Sequence, residues 1–284
     1  MNSLLQVLKS RFGTPTWDAD RITDEWFRAH FHYAADVVRQ WLGEPLDLTQ
    51  AKVLNFGCGD GITDLALVLR HGATSIHGVD IRQEYAKLPR IAKEQLGLRR
   101  VPAALSFETI VPSAPLAGRM QVDGMFSWST FEHVQRDQLL PILSDLHACL
   151  RPGGKFFLQI EPLYYSPYGS HLRRYNEQPW HHLLETEDAL WRGIEAHQGP
   201  IAAEETDFGF ADFGVEGYKK FVFNEYLALN RLTADELVEI TQQAGFQLLR
   251  EERRQVDTPI PEALQGRYPE AQLRTNEIFL LLGA

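Results

Sequence analysis

From residue 51 onward, short apolar runs alternate with amphipathic stretches. "KVLNF" (52–56), "SIHGVD" (75–80), "AALSF" (103–107), "DGMFSWS" (123–129) and "KFFLQIE" (155–161) read as buried strands, with helical patterns over 62–71, 82–95 and 136–150 between them. Strands alternating with helices predict βαβ units and a mainly parallel sheet. In "LRPGGK" (150–155), Pro152 and the glycine pair stop one helix and turn the chain into the fifth strand. Near the end, Thr233 is placed to cap a helix that Gly245 closes, and strand-like "FQLLREERR" and "TNEIFLLLG" follow.

Residues 1–50 read as a helical extension. Phe27, Phe31, Ala34, Val38, Trp41 and Leu42 share one helical face, with Thr23 as the expected N-cap and Gly43 just past the end. This helix is expected to cover an edge or mouth of the main domain, 51–284, and His30 and His32 fall off its apolar stripe. Leu4, Leu5, Leu8 and Phe12 form a shorter apolar cluster, read as packing on the protein itself. Periodicity fails from about 162 to 230, where aromatic residues crowd well beyond the 11% of the whole chain, so the segment reads as an insertion. Tyr164, Tyr165, Trp180, Trp191, Phe208, Phe210, Phe213 and Tyr226 belong to it. It is expected to serve as a lid over an acceptor, as an oligomer contact, or as both.

Composition narrows the classes. A chain of 284 residues with 44% hydrophobic content buries a full core. A formal charge of -10 argues against a partner held by its phosphate backbone, so no nucleic acid is expected. Two cysteines, Cys58 and Cys149, make neither a disulfide framework nor a metal-ligand spacing, and the default setting is reducing and cytoplasmic. No run of about 18 apolar residues occurs, so neither a membrane span nor a signal peptide is expected.

The chemistry concentrates in "VLNFGCGDGITD" (53–64). A strand entering a glycine turn and then a helix puts free N–H groups and the positive helix end beside whatever lies over the loop. The dinucleotide spacing G-x-G-x-x-G fails, because Ile62 stands where its third glycine belongs. What stands here is G-x-G-x-G. Asp80 closes the next strand about 20 residues on, where a carboxylate holds a ribose diol.

Together "VLNFGCGDG", "GVDI", "DGMFSWSTFEHV" and "LRPGGKFFLQI" resemble the class I S-adenosylmethionine-dependent methyltransferases. The resemblance implies a Rossmann-like α/β fold, a mostly parallel seven-stranded sheet with helices on both faces. It implies that Gly57, Cys58, Gly59 and Gly61 pass under S-adenosylmethionine, that Asp80 binds the ribose and that Ile81 packs on adenine. Ser127 and Trp128 would line the methionine side. Asn55 stands where the family often has an acid; its amide would accept from the methionine ammonium without supplying charge. The position of Cys58 in this family is usually just a small turn residue, and no catalysis is expected there.

"EPLYYSPYGSHLRRY" (161–175) leaves the fifth strand at the end where open α/β sheets bind ligands. It is similar to a phrase in methyltransferases of bacterial sugar and surface-polysaccharide pathways, which implies O-methylation of a sugar-containing or other small polar acceptor. A hydroxyl needs a general base. His171 is the first choice, with His133 and Glu161 in reserve, and a purely structural loop histidine stands as the equal alternative. Tyr164, Tyr165, His171 and Arg173 are the candidate acceptor contacts. No metal is expected, because adjacent His181 and His182 point differently on most backbones. Three alternatives stay open: N-methylation of a small molecule, a nonenzymatic protein that binds the same cofactor, and a nicotinamide oxidoreductase.

Overall fold

The strands are β1 (Val53–Phe56), β2 (Ile76–Asp80), β3 (Leu105–Thr109), β4 (Val122–Trp128), β5 (Leu150–Ile160), β6 (Gln247–Gln255) and β7 (Thr275–Gly283). In the computed structural model, which describes residues 17, 19–112, 114–199 and 214–284, they form one sheet in the order β3-β2-β1-β4-β5-β7-β6. The pairs β1–β2, β2–β3, β1–β4 and β4–β5 are parallel, and β7 runs antiparallel to both its neighbours. The chain thus winds outward from β1 to β3, then returns to place β4 beside β1. That reversal opens a crevice at the carboxyl ends of β1 and β4. The expectations for Leu4, Leu5, Leu8, Phe12, Phe208, Phe210 and Phe213 lie outside the described residues.

Strand alternation divides the core into two layers, because successive side chains point to opposite faces. Leu54, Phe156, Leu158, Ile278 and Leu280 face one layer with Leu139, Leu143, Leu146 and Leu237. Val53, Phe126, Phe157, Phe279 and Leu281 face the other with Phe27, Phe31, Val38, Trp41 and Leu42. The longer helices are α1 (25–43), α2 (Ile62–His71), α3 (Leu88–Leu96), α4 (Leu139–Cys149), α5 (Glu187–Ala196), α6 (Gly214–Ala228) and α7 (Ala234–Gln243), of which α1, α4 and α7 supply the residues just named.

Helix α1 is a full layer of the fold: Trp41 stacks on Phe157 and Phe279 at ring separations of 5.4 and 5.5 Å. Its N-cap is Asp24, whose carboxylate accepts from Phe27 N, rather than Thr23. The middle of α1, Ala29–Ala34, is π-helical, which the apolar spacing did not announce. At the other end of the chain, Thr233 caps α7 as expected, and Glu236 completes a reciprocal capping box. The "LRPGGK" turn lies within β5 as an irregularity: Val122 pairs with Leu150 but Gly124 pairs with Lys155, so the intervening residues bulge.

The insertion has a core of its own. Tyr164, Leu172, Trp180, Leu183, Leu190, Ile194, Tyr226 and Leu229 pack together with Leu264 and Leu273 from the connection between β6 and β7. No described helix is long and apolar enough to cross a membrane.

Trp41→Ala is expected to lower unfolding stability by about 3–5 kcal/mol through the lost ring and the cavity it leaves. Thr233→Ala is expected to lose only about 1 kcal/mol. Urea unfolding of the two variants checks the ranking, and equal midpoints would contradict the place given to α1 in the core.

Candidate active site

The loop between β1 and α2 is held by the end of β2. Gly57 N and Cys58 N both donate to Val79 O, at 2.9 and 3.1 Å. Gly59 N donates to Asp80 Oδ2 at 2.9 Å, and Arg82 N donates to Asp80 Oδ1 at 2.9 Å. The three loop glycines all take positive φ, which side chains other than glycine rarely adopt. Their surroundings differ. A Cβ on Gly57 would meet Thr130 Oγ1 at 2.2 Å, and one on Gly61 would meet Phe107 Cζ at 2.7 Å, whereas above Gly59 there is open space. Two of the glycines are therefore demanded by the protein's own packing, and the third has open space above it.

The crevice opens into a cavity of about 860 Å³. Gly57, Asp80, Ile81, Ile110, Thr130 and His133 are on its wall, with the apolar side of α4 beyond them. The size and the largely apolar lining suit a cofactor-sized ligand. Ile81 is 55% exposed, an apolar side chain left bare beside Asp80.

Asn55 is buried with its amide nitrogen engaged, and its Oδ1 has no partner among the described residues. Its Nδ2 donates to Asp64 Oδ2 at 2.7 Å, and both residues are buried beneath the loop. Burial pushes the Asp64 carboxyl up to about 7, against the bond from Asn55. Asp64 thus supplies an acidic group that the position of Asn55 lacks. Cys58 is buried, and burial followed by the nearby Asp64, Asp80 and Asp60 carboxylates raises its thiol far above the usual range, which fits an inert turn residue. Trp26 of α1 reaches the same loop, donating from Nε1 to Asp60 Oδ2 at 2.7 Å.

The turn after β4 forms the opposite wall. Ser127 Oγ donates to Phe56 O at 2.8 Å, so this hydroxyl ties β4 to β1. Trp128 packs edge-on against Tyr33. Glu132 is buried, neither of its carboxylate oxygens has a partner among the described residues, and burial pushes its carboxyl up to about 8. The His133 and His171 rings lie 5.2 Å apart. Crowding by protein atoms pushes both imidazoles below their ordinary pKa. For His133, Glu225 opposes the shift and Arg82 adds to it; for His171, His133 and His182 add to it. Both residues keep an exposed edge, so water still reaches them, and the direction is enough to make them neutral proton acceptors at neutral pH.

Helix α6 bridges the two walls. Glu225 accepts from Arg82 at 3.0 Å and lies 3.8 Å from His133 Nδ1, while Arg82 sits over the Phe221 ring. Asn230 fixes the turn itself: Nδ2 donates to Phe131 O and Val134 O, and its backbone N donates to Glu132 O. Thr130 and Asp64 lie inside the quoted motifs without being singled out there, and Glu225 and Asn230 lie outside them; only their contacts mark these four.

The remaining expected residues are placed differently. Tyr164 is buried in the insertion's core beside Tyr226 and His182, so it offers no stacking face to a ligand. Tyr165 is half-buried against Tyr268. Arg173 is exposed and lies over the Tyr168 ring. Glu161 accepts from Asn276 Nδ2 at 2.9 Å and has its pKa raised by burial, with Arg254 opposing. His181 bonds Gln178 O, and His182 Nε2 bonds Tyr164 O at 2.7 Å, so these two histidines organise the insertion.

A family profile described as a methyltransferase domain matches residues 26–251. Among solved structures, a candidate sarcosine dimethylglycine methyltransferase from Galdieria sulphuraria aligns with a TM-score of 0.51 at 14% identity, covering 88% of this chain and 85% of that one. A candidate S-adenosylmethionine-dependent methyltransferase from Listeria monocytogenes gives 0.50 at 13% identity, covering 88% and 98%. The 4+2 cyclase SpnF gives 0.50 at 12% identity, covering 88% and 79%. Identities this low establish a shared fold. No curated protein matches the chain.

Gly57→Ala drives a methyl group into Thr130 from a left-handed backbone, so a large fall in the urea midpoint is expected. Gly59→Ala meets open space and should lose only the roughly 1–2 kcal/mol of a left-handed alanine. A smaller loss for Gly57→Ala than for Gly59→Ala would contradict the packing. Asp64 is raised in the folded state, so its contribution is fully present below about pH 4. It is lost as pH climbs through about 7. The melting-temperature gain of Asp64→Asn over wild type should therefore grow between pH 5 and 8, and a gain independent of pH would refute the assignment.

Proposed function

Because the chain belongs to the methyltransferase-domain family, we propose that it transfers the methyl group of S-adenosylmethionine to a hydroxyl of a sugar-containing or other small polar acceptor. The observation that carries the cofactor half is Asp80, which lines one large cavity together with Gly57 and holds the open, left-handed Gly59 by its N–H. An ionised carboxylate has about four lone-pair sites. Two of those on Asp80 accept from Gly59 N and Arg82 N, and the others remain for a ribose diol. Asp60, Asp64 and Asp80 surround the loop closely enough to raise the Cys58 thiol. That negative field suits a sulfonium and an ammonium, and it disfavours the pyrophosphate of a nicotinamide dinucleotide.

Methyl transfer is an in-line displacement: the acceptor oxygen forms a bond to the methyl carbon while the carbon–sulfur bond breaks and its electron pair stays on sulfur. The protein's part is alignment and removal of the hydroxyl proton. The neutral His171–His133 pair supports an O-directed reaction, with His171 as the base and His133 on the cavity wall. The insertion supports a polar acceptor through half-buried Tyr165 and exposed Arg173. The acidic net charge of -10 supports a partner other than nucleic acid.

Calorimetry is expected to show one adenosylhomocysteine per chain and no NAD, with binding at least about tenfold weaker in Asp80→Ala. Absence of adenosylhomocysteine binding would end the reading. A labelled-methyl screen over nucleotide sugars, short glycans and small alcohols, with product mass, is expected to give an O-methyl product. Labelling of amines alone would overturn the acceptor class. On the true acceptor, His171→Ala should reduce turnover by about 10²–10⁴; a loss of only a few fold would remove it as the base.

A further inference from the structure

Glu132, His133 and His171 present three ligand atoms that all lie within 4.8 Å of one another. They come from two distant parts of the chain, the turn after β4 and the insertion. Glu132 is 5% exposed, and neither of its oxygens finds a donor among the described residues. Burying a carboxylate without a partner is costly by several kcal/mol, so such a group marks a place where a cation or a proton is expected to sit. His171 is held at φ +60, a left-handed backbone unusual for a side-chain-bearing residue, and its N–H donates to Tyr168 O at 3.1 Å. Asn230 pins the backbone of Glu132 from the other side. The structure thus invests local strain and buried hydrogen bonds in bringing these three side chains together.

We infer that Glu132, His133 and His171 bind a divalent transition cation of the zinc class. Two imidazoles and one carboxylate are the donor set such ions take, with a coordination position left for a further ligand. In a tetrahedral set with bonds of about 2.1 Å, ligand atoms stand about 3.4 Å apart. From separations of up to 4.8 Å, the ligand atoms would have to close by at most about 1.4 Å to reach that geometry. His133 also lines the large cavity, so the site adjoins the space read as the cofactor's. Glu225, 3.8 Å from His133 Nδ1, is the carboxylate placed to orient that ring. His181 and His182 stay outside the site, bonded to the backbone of the insertion.

Binding of the ion is independent of the methyl-transfer reading, but the role assigned to it rests on that reading. An acceptor hydroxyl on the ion would lose its proton to water, attack the methyl carbon as an alkoxide, and release the thioether, with no change of oxidation state. The imidazoles would then be ligands, and the cation rather than His171 would lower the hydroxyl pKa. The competing occupant is a single water. A cavity of about 10 Å³ adjoins Glu132, which is room for one water at most.

The full chain, freed of metal with a chelator, is titrated with Co²⁺ and Zn²⁺ by calorimetry and by cobalt visible absorption, and with Mg²⁺ as the oxygen-preferring control. One Co²⁺ or Zn²⁺ per chain is expected, at least about tenfold tighter than Mg²⁺. Visible cobalt bands should weaken in Glu132→Gln and be lost in His171→Ala, and affinity should fall at least about tenfold in both. His77→Asn, on β2, should bind as wild type. Circular dichroism and adenosylhomocysteine calorimetry on each variant separate loss of the site from loss of the fold or failure of the cofactor reading. No stoichiometric binding by the folded chain, or binding unchanged in His171→Ala, would overturn the inference and leave water as the occupant.

Discussion

The whole carboxyl edge of the sheet depends on the hydrogen bonds that tie the loop after β1 to the end of β2. Val79 O accepts from two consecutive amides, and Asp80 accepts from Gly59 N. The loop can make these bonds only by running left-handed at Gly57, Gly59 and Gly61. Thr130 from beyond β4 then closes over Gly57, and Phe107 from β3 closes over Gly61. Four strands thereby fix one turn, and the turn exposes its remaining backbone at Gly59. A ligand reading of glycine motifs usually credits every glycine to the ligand. Here the protein's own side chains account for two of them.

On the other side of the crevice lies an insertion that folds around a core of its own. Its buried aromatic residues hold it together, and its polar contacts reach outward. Arg82 and Glu225 join it to the loop after β2, and Asn230 joins it to the turn after β4. The Glu132–His133–His171 group exists only because those joints set its two halves face to face. A rigid pair of walls matters for displacement chemistry, which is sensitive to the line along which acceptor, methyl carbon and sulfur are arranged.

A second polar network steadies the far end of the crevice. Gln159 is fully buried, donating to Glu277 Oε1 at 2.8 Å and accepting from Ser129 N and Oγ at 3.1 Å. Arg254 and Tyr33 extend it to β6 and α1. Burial pushes Glu277 up to about 7, with Gln159 and Arg254 opposing and Glu161 adding. Glu161 belongs with this network through Asn276. It secures the backbone of Ser129, the left-handed residue at which the chain leaves β4 for the histidine turn.

Periodicity and local chemistry in the chain were enough for the seven strands, the parallel order implied by βαβ alternation, the glycine turn, Asp80 and the cap at Thr233. All of these are set by neighbours a few residues away, so their signals survive in one dimension. Tertiary structure decided what distant segments do to each other. It placed Asp64 against Asn55, buried Tyr164 within the insertion, and joined Leu264 and Leu273 to the same core. It also buried Glu132, which no local pattern announces, and brought it and its chain neighbour His133 against His171, about forty residues further along the chain. Side-chain desolvation and ligand geometry depend on which surfaces meet in space, and that information appears only once the sheet and its insertion have closed.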